Sequence, residues 1–168
     1  MLKKITAFLF VVFMLTMTHK SFAQDLLSEL PETKEQFIAS EKNVLATIEW
    51  LETTPFDKDQ EKRTVQKALL VAWLTNSPTV TLEVNASVLT FTKKNPDLMI
   101  TFMGGWTRYA LKNNYSTDNV QGSLAGIKSA IKVYKNLSLE KDKQMEKLIE
   151  LDTKGELEAW VKNQMSKK

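Results

Sequence analysis

The chain has 168 residues, with 23 basic and 20 acidic side chains, a single histidine and no cysteine. The absence of cysteine excludes disulfides, thiolate nucleophiles and sulfur-ligated metals, and one histidine is too few for an imidazole-built metal cluster. A formal charge of +3 is small for a protein that works on nucleic acid, which calls for a strongly positive face.

Lys3 and Lys4 precede an almost wholly apolar run from Ile5 to Thr18, and Ser21-Phe22-Ala23 follows. Charged, oily and small-residue segments in that order predict a secretory signal peptide over 1–23, cleaved after Ala23. The run is short for a membrane span and no second one follows, so no transmembrane segment is expected after cleavage. Without a cysteine to carry a lipid, the expected location is periplasmic or secreted. Cleavage takes away Lys3, Lys4, Lys20 and the one histidine, His19, which leaves residues 24–168 with 20 basic and 20 acidic side chains. That neutral remainder is expected to bind no metal, no cofactor and no nucleic acid, and to run no imidazole-based proton transfer. It is long enough to form one domain with its own core.

The remaining elements are read from capping signals and apolar spacing. Thr33 with Gln36 makes a capping box, and the pairs Thr54-Pro55, Ser77-Pro78 and Asn95-Pro96 each read as an N-cap followed by proline at the first helical position. The predicted helices are 33–53, 56–76, 79–94, 96–113, 119–136, 139–153 and 155–166. In the first, Phe37, Val44, Leu45, Ile48 and Leu51 share one face. The second contains Ala68 to Trp73 and Leu74, apolar all round, which predicts a central helix. Residues 79–92 are ambiguous: Val80, Leu82 and Val84 alternate as in a β-hairpin, while Val80, Val84, Val88 and Phe91 lie on one helical stripe. A helix is the preferred reading. The expected fold is all-α, either a compact bundle of six to seven helices or a short α-solenoid of stacked pairs in the manner of TPR or HEAT repeats, since the starts at 33, 79 and 119 recur at a period of about 40.

Within 98–112, LMITFMGGWTRYALK, the pair Gly104-Gly105 lacks the lysine, hydroxyl and spacing of a phosphate-binding loop. Projected on a helix, apolar residues cover most of the circumference, with Asp97, Thr101, Arg108 and Lys112 as a narrow polar strip. This reads as the hub of the domain, where Gly104 and Gly105 let neighbouring backbones approach. The sharper reading is a shallow groove along the strip, in which Arg108 takes a carboxylate or phosphate; Asp97 or Glu83 could equally satisfy Arg108 internally. The next helix has a stripe of large apolar residues, a stripe of small ones including Gly122 and Gly126, and a lysine stripe of Lys128, Lys132 and Lys135. Such a stripe is ordinarily a solvated face. Charge is nevertheless segregated along the chain: residues 64–139 carry eight basic side chains against Glu83, Asp97 and Asp118, whereas acids predominate over 25–63. If Arg108, Lys112 and the lysines of the next helix converge, they would attract an acidic partner, a lipid head group or an anionic wall polymer. Equally, the acidic first helices could fold over the basic ones. The last part, with Met145, Leu148 and Ile149 on one stripe and Leu157, Trp160, Val161 and Met165 on the next, predicts a closing helical pair turned at Gly155.

FMGGWTRYAL, GSLAGIKSAIKVYKN and GELEAWVKN resemble stretches of small exported all-helical proteins of Bacteroidota-type bacteria that carry no assigned activity. The resemblance concerns style over the length after cleavage and transfers no functional residue. The expected function is an exported helical binding or scaffold protein acting on another protein or an envelope component. The alternatives are a histidine-independent enzyme using carboxylates on a glycan, with Glu49, Glu52 and Glu83 as scattered candidates, and a carrier of a small anionic or apolar ligand, the latter suggested by the Met, Trp and Phe content of 98–111.

Overall fold

The Thr33 hydroxyl accepts the Gln36 backbone N–H at 3.3 Å, and the Gln36 side chain accepts the Thr33 N–H at 3.2 Å. This reciprocal cap starts the first helix of the computed structural model, which describes residues 25–137 and 139–167. The predicted signal peptide, including His19, lies outside the described residues. Among the described residues six α-helices follow in order: α1 Lys34–Thr53, α2 Gln60–Asn76, α3 Leu98–Lys112, α4 Asn119–Asn136, α5 Lys143–Thr153 and α6 Leu157–Ser166, with a 3₁₀ turn at Ala86–Val88. The all-α bundle expected from the sequence is what forms, with no strand among the described residues. None of these helices is long and apolar enough to cross a membrane.

An extended strap precedes α1. Leu27 is buried, its N–H donates to the Thr47 hydroxyl at 2.9 Å, and its carbonyl accepts from Gln66 Nε2 at 3.0 Å. Backbone polar groups that leave water need such partners, so the strap lies against both α1 and α2. Phe37, Val44, Ile48 and Leu51 of α1 join Leu70 and Trp73 of α2 in one core.

All three residues expected to cap helices ahead of a proline serve other ends; Asn95 donates its side-chain N–H to the Glu140 carbonyl at 3.1 Å, and α3 starts at Leu98. Pro55 does not open α2; residues 54–59 wrap instead around the buried guanidinium of Arg63, which donates to the carbonyls of Leu51 at 3.1 Å, Thr54 and Pro55. A helix C-terminus leaves several carbonyls without donors, and Arg63 fills that need for α1. Burial pushes the Arg63 pKa down while the negative charge of Asp97 opposes the shift. Ser77 ends α2 rather than starting a helix: its hydroxyl accepts from the N–H groups of Thr79 at 3.3 Å and Val80 at 3.1 Å.

Residues 79–94 are therefore neither the predicted helix nor a hairpin. Over 80–85 they form no regular element, with Asn85 itself extended, and then turn, the Asn85 side chain accepting the Ser87 N–H at 2.8 Å. The reason is reach. Val80 belongs to the α1–α2 core, Leu82 packs against both cores, and Val88 and Phe91 belong to the second. An extended chain advances about 3.3 Å per residue against 1.5 Å in a helix, so an extended segment can span both cores. A second correction concerns α2, which packs mainly on α1 and leaves Val71 37% exposed and Ala68 exposed. It is peripheral, not central, because its apolar residues are needed only where α1 and the strap meet it.

The central position falls to α3. Leu98, Phe102 and Trp106, spaced by four, are fully buried in the second core with residues of α4, α5 and α6. Its opposite side meets α1 through Gly104 against Ile48, and Ala110, one turn beyond Trp106, joins the first core. Asp118 caps α4 by accepting the N–H groups of Val120 and Gln121, both at 3.0 Å. The pairs Trp106 with Gly122 and Phe102 with Gly126 then run in opposite chain directions, so α3 and α4 form an antiparallel hairpin. Its backbones are close because no side chain separates them: a Cβ on Gly105 would stand 2.5 Å from the Ser129 Cβ, and one on Gly126 2.6 Å from the Phe102 ring. Asp142 starts α5 a few residues later than predicted, accepting the Gln144 N–H at 2.7 Å, and Gly155 turns the chain into α6 with φ +73°.

Candidate functional site

Between α3 and α4 lies a shallow groove of about 390 Å³. Arg108 and Lys112 reach it from α3, Lys128 and Lys132 from α4. Each pair is separated by four residues, so each occupies one helix face. The side chains between them are small, Gly105, Ala125 and Ser129, and Tyr109 and Asn113 complete the lining. Lys135, exposed one further turn along α4, is not part of it. The hairpin thus brings together four of the five candidate binding residues. Of the four packing glycines, Gly105 lines the groove, Gly122 and Gly126 lie against Trp106 and Phe102, and Gly104 faces Ile48 of α1.

Three of the lining side chains, Arg108, Ser129 and Lys132, meet a buried acid that the sequence did not single out for this place. Glu52, near the end of α1, has a side chain only 1% exposed, and its Oε1 lies 2.7 Å from Arg108 Nη2. The same oxygen accepts from the Ser129 hydroxyl, and Oε2 is 3.8 Å from Lys132 Nζ. Arg108 is therefore satisfied internally, but not by either acid expected: Asp97 pairs with Lys67 at 2.7 Å, and Glu83 accepts from Asn119 Nδ2 at 2.6 Å. The signal that locates Glu52 is its register. It follows Leu51 and stands four residues after Ile48, both buried, which places a carboxylate on the apolar face of α1. A carboxylate there requires a cationic partner.

The acidic first helix does fold over the basic hairpin, packing apolar residues against α3 and placing the Glu52 carboxylate among the cations. Glu52 Oε2 is buried with no hydrogen-bond donor among the described residues, and only the Lys132 ammonium stands nearby. Arg108 Nη1 faces the Ser129 oxygen at 3.4 Å, so both ends of the guanidinium fork are turned toward the protein. The lysines are more open. Lys128 stands 3.6 Å from Asp152 of α5 with its side chain 55% exposed, and Lys112 has no ion-pair partner among the described residues. Four cations consequently face two carboxylates.

No family model matches this chain, and neither a curated protein nor a solved structure matches it. The chemistry must be read from the geometry alone. The apolar stripe of α3 does not line the groove: Leu98, Phe102 and Trp106 have no exposed surface and fill the second core. Of the candidate acids, Glu49 is exposed on α1, Glu52 is held by cations and Glu83 by Asn119. A second, larger crevice of about 500 Å³ runs between the strap and α1, past Leu27, Glu29, Glu32 and Ser40. It has acidic side chains at its edge and no cation in its lining.

Proposed function

We propose that the protein is an exported binding protein whose α3–α4 groove takes an anionic group, presented by an envelope component or by a small ligand. The supporting observation is the excess of cations: Arg108, Lys112, Lys128 and Lys132 share one groove, and among the described residues only Glu52 and Asp152 pair with them. A concave surface lined by one sign of charge concentrates the opposite sign in its vicinity. The groove's volume is within the range of small-ligand sites, about 300–1,000 Å³. Export is supported by the order of charged, apolar and small residues over 1–23.

The test is calorimetric titration of citrate into the protein and into the double variant Lys112→Ser/Lys128→Ser at low ionic strength. Both lysines are exposed, so the variant retains its fold, which circular dichroism checks. The expected result is citrate binding that weakens about tenfold in the variant and fades as salt rises, because exposed charges are screened beyond about 10 Å at 0.1 M. Equal citrate affinity in the two proteins, or no binding in either, rejects the reading.

A further inference from the structure

The cations of the groove stand at successive levels along the α3–α4 hairpin. Gly105 lies against Ala125 and Ser129 of α4, since a Cβ added to it would stand 2.8 Å from the Ala125 carbonyl oxygen and 2.5 Å from the Ser129 Cβ. Lys128, between those two residues in sequence, is therefore level with Gly105. Lys112 is seven residues farther along α3, toward the turn between the helices, which at about 1.5 Å per residue sets it about 10 Å from that level. Lys132 lies on the other side of it, one turn along α4, and the exposed Lys135 continues the same helix face one turn further. From Lys112 to Lys132 the row covers about 15–20 Å. Arg108 stands within the row, its guanidinium turned to Glu52 and Ser129. Neutral hydrogen-bonding groups are set among these charges. Ser129 is on the floor beside Gly105, and the exposed Asn113 donates its amide N–H to the Tyr109 carbonyl at 2.7 Å, which keeps its amide oxygen as an acceptor. Tyr109 itself adds an aromatic ring to the lining.

From this arrangement we infer that the ligand is an acidic glycan, an extended sugar chain with carboxylates at intervals, laid along the hairpin axis. The inference rests on the groove being an anion site and adds the class of molecule that carries the anions. A compact anion sits at one level and leaves the cations at the other levels without a partner; an extended chain meets them in turn. The open cations are lysine ammoniums, point charges on flexible stems that follow a chain without demanding one fixed fork geometry. Sugar hydroxyls also supply donors for the Asn113 amide oxygen, and the C–H face of a sugar ring covers the Tyr109 ring. A phosphate chain presents only acceptors and would leave that amide oxygen unmatched.

The experiment is calorimetric titration of the purified protein with galacturonate oligomers of graded length, from the dimer to the octamer, at several salt concentrations. Affinity is expected to rise about tenfold from digalacturonate to hexagalacturonate. The fall of log affinity with log salt should also steepen, because a chain that meets more cations releases more counterions. Extra binding registers on a longer chain raise affinity without steepening that slope, so the slope separates the two causes. Lys135→Ser should weaken octamer binding and spare the dimer; Asn113→Ala should weaken hexagalacturonate and spare linear hexaphosphate. If citrate binds in the groove but dimer and hexamer share one salt slope, the extended chain is overturned while anion binding stands. Hexaphosphate, hexathymidylate or the uncharged cellohexaose binding as tightly as hexagalacturonate overturns the acidic glycan in the same way. If neither citrate nor any oligomer binds, the groove reading and this inference both fall.

Discussion

Arg108 on α3 holds the carboxylate of Glu52 on α1 at 2.7 Å, with the acid side chain 1% exposed and the guanidinium side chain 27% exposed. The two partners are unequal in what their loss leaves behind. Arg108→Ala strands a buried carboxylate with the Ser129 hydroxyl and a lysine at 3.8 Å, whereas Glu52→Gln leaves a partly exposed guanidinium that water can reach. Removing one partner of a buried pair costs about 3–5 kcal/mol; with one member partly solvated, Arg108→Ala is expected to destabilise by about 2–4 kcal/mol and Glu52→Gln by about 1–2 kcal/mol. Urea unfolding of the two variants checks the order. The Gln variant also removes a negative charge from the groove, so it should bind citrate more tightly than wild type despite lower stability.

Glycine packing predicts a contrast between neighbouring sites. Alanine is favoured over glycine in a helix by about 1 kcal/mol, but at Gly126 the new Cβ would stand 2.7 Å from the Phe102 carbonyl oxygen, which belongs to a helix backbone and cannot rotate aside. Gly126→Ala is expected to lower stability by about 1–3 kcal/mol. At Gly104 the nearest atom is the Ile48 Cγ2 at 3.0 Å, so Gly104→Ala should fall within about 1 kcal/mol of wild type. Thermal melts that rank the two equally would contradict the packing described.

Arg63 predicts that arginine and lysine are not interchangeable at one buried position. Its guanidinium serves three carbonyls at once and stacks 4.6 Å from the Phe56 ring centroid. A lysine carries the charge but not the fork, so Arg63→Lys should destabilise by about 1–3 kcal/mol. Hydrogen exchange should quicken over 51–58, where the wrapped turn loses its donors. Wild-type exchange rates there in the variant would refute the capping role.

The strap offers a local readout. Thr47→Val keeps the shape of the side chain but removes the acceptor for the Leu27 N–H and the donor to Gln66 Oε1, now at 2.9 and 3.1 Å. Each unsatisfied buried group costs about 1–3 kcal/mol. Faster exchange of the Leu27 amide, with α3 and α4 unchanged, is the expected result; protection equal to wild type would show that the strap is held by other contacts.

Alkaline pH provides a test at the far end of the bundle. The Tyr134 phenol is buried, donates to Glu146 Oε1 at 2.9 Å and accepts the Asp142 N–H at 2.9 Å. Burial pushes its pKa up, the bond from the Asp142 backbone works the other way, and Glu146 reinforces the rise. An acid whose folded pKa is raised loses its proton first in the unfolded chain. Its contribution is therefore complete below the unfolded phenol value of about 10 and is lost as pH rises through the folded value. Denaturant titrations should show stability falling above about pH 10, and Tyr134→Phe should shallow that decline while lowering stability at neutral pH. An unchanged alkaline slope in the variant would refute it.

Much of the fold was legible because its signals are local. The capping box at Thr33, the spacing of Leu98, Phe102 and Trp106, and the turn at Gly155 depend on residues within a turn or two of one another. The misread elements are those where a local signal serves a distant need. Thr54-Pro55 looks like a helix start until Arg63 is seen to fill the open end of α1; Ser77-Pro78 looks like one until Ser77 is seen to end α2. The stretch 79–94 carries two periodicities, and only the separation of two cores selects the extended form. At the groove, the lysine and arginine spacing marked out four lining residues, but the partner of Arg108 lies 56 positions away on α1, beyond any periodicity.

The amino-acid order by itself determined an all-helical chain, its principal amphipathic faces and the small residues of the α3–α4 hairpin, because helix periodicity and steric size are properties of neighbouring residues. It also separated acidic from basic segments. Tertiary structure alone decided which acid meets which base: a buried charge is stable only where desolvation is offset by a partner at contact distance, and contact between Glu52 and Arg108 exists only once α1 lies across the hairpin. That same packing left Lys112 and Lys128 turned toward the open groove, where the surplus of positive charge remains.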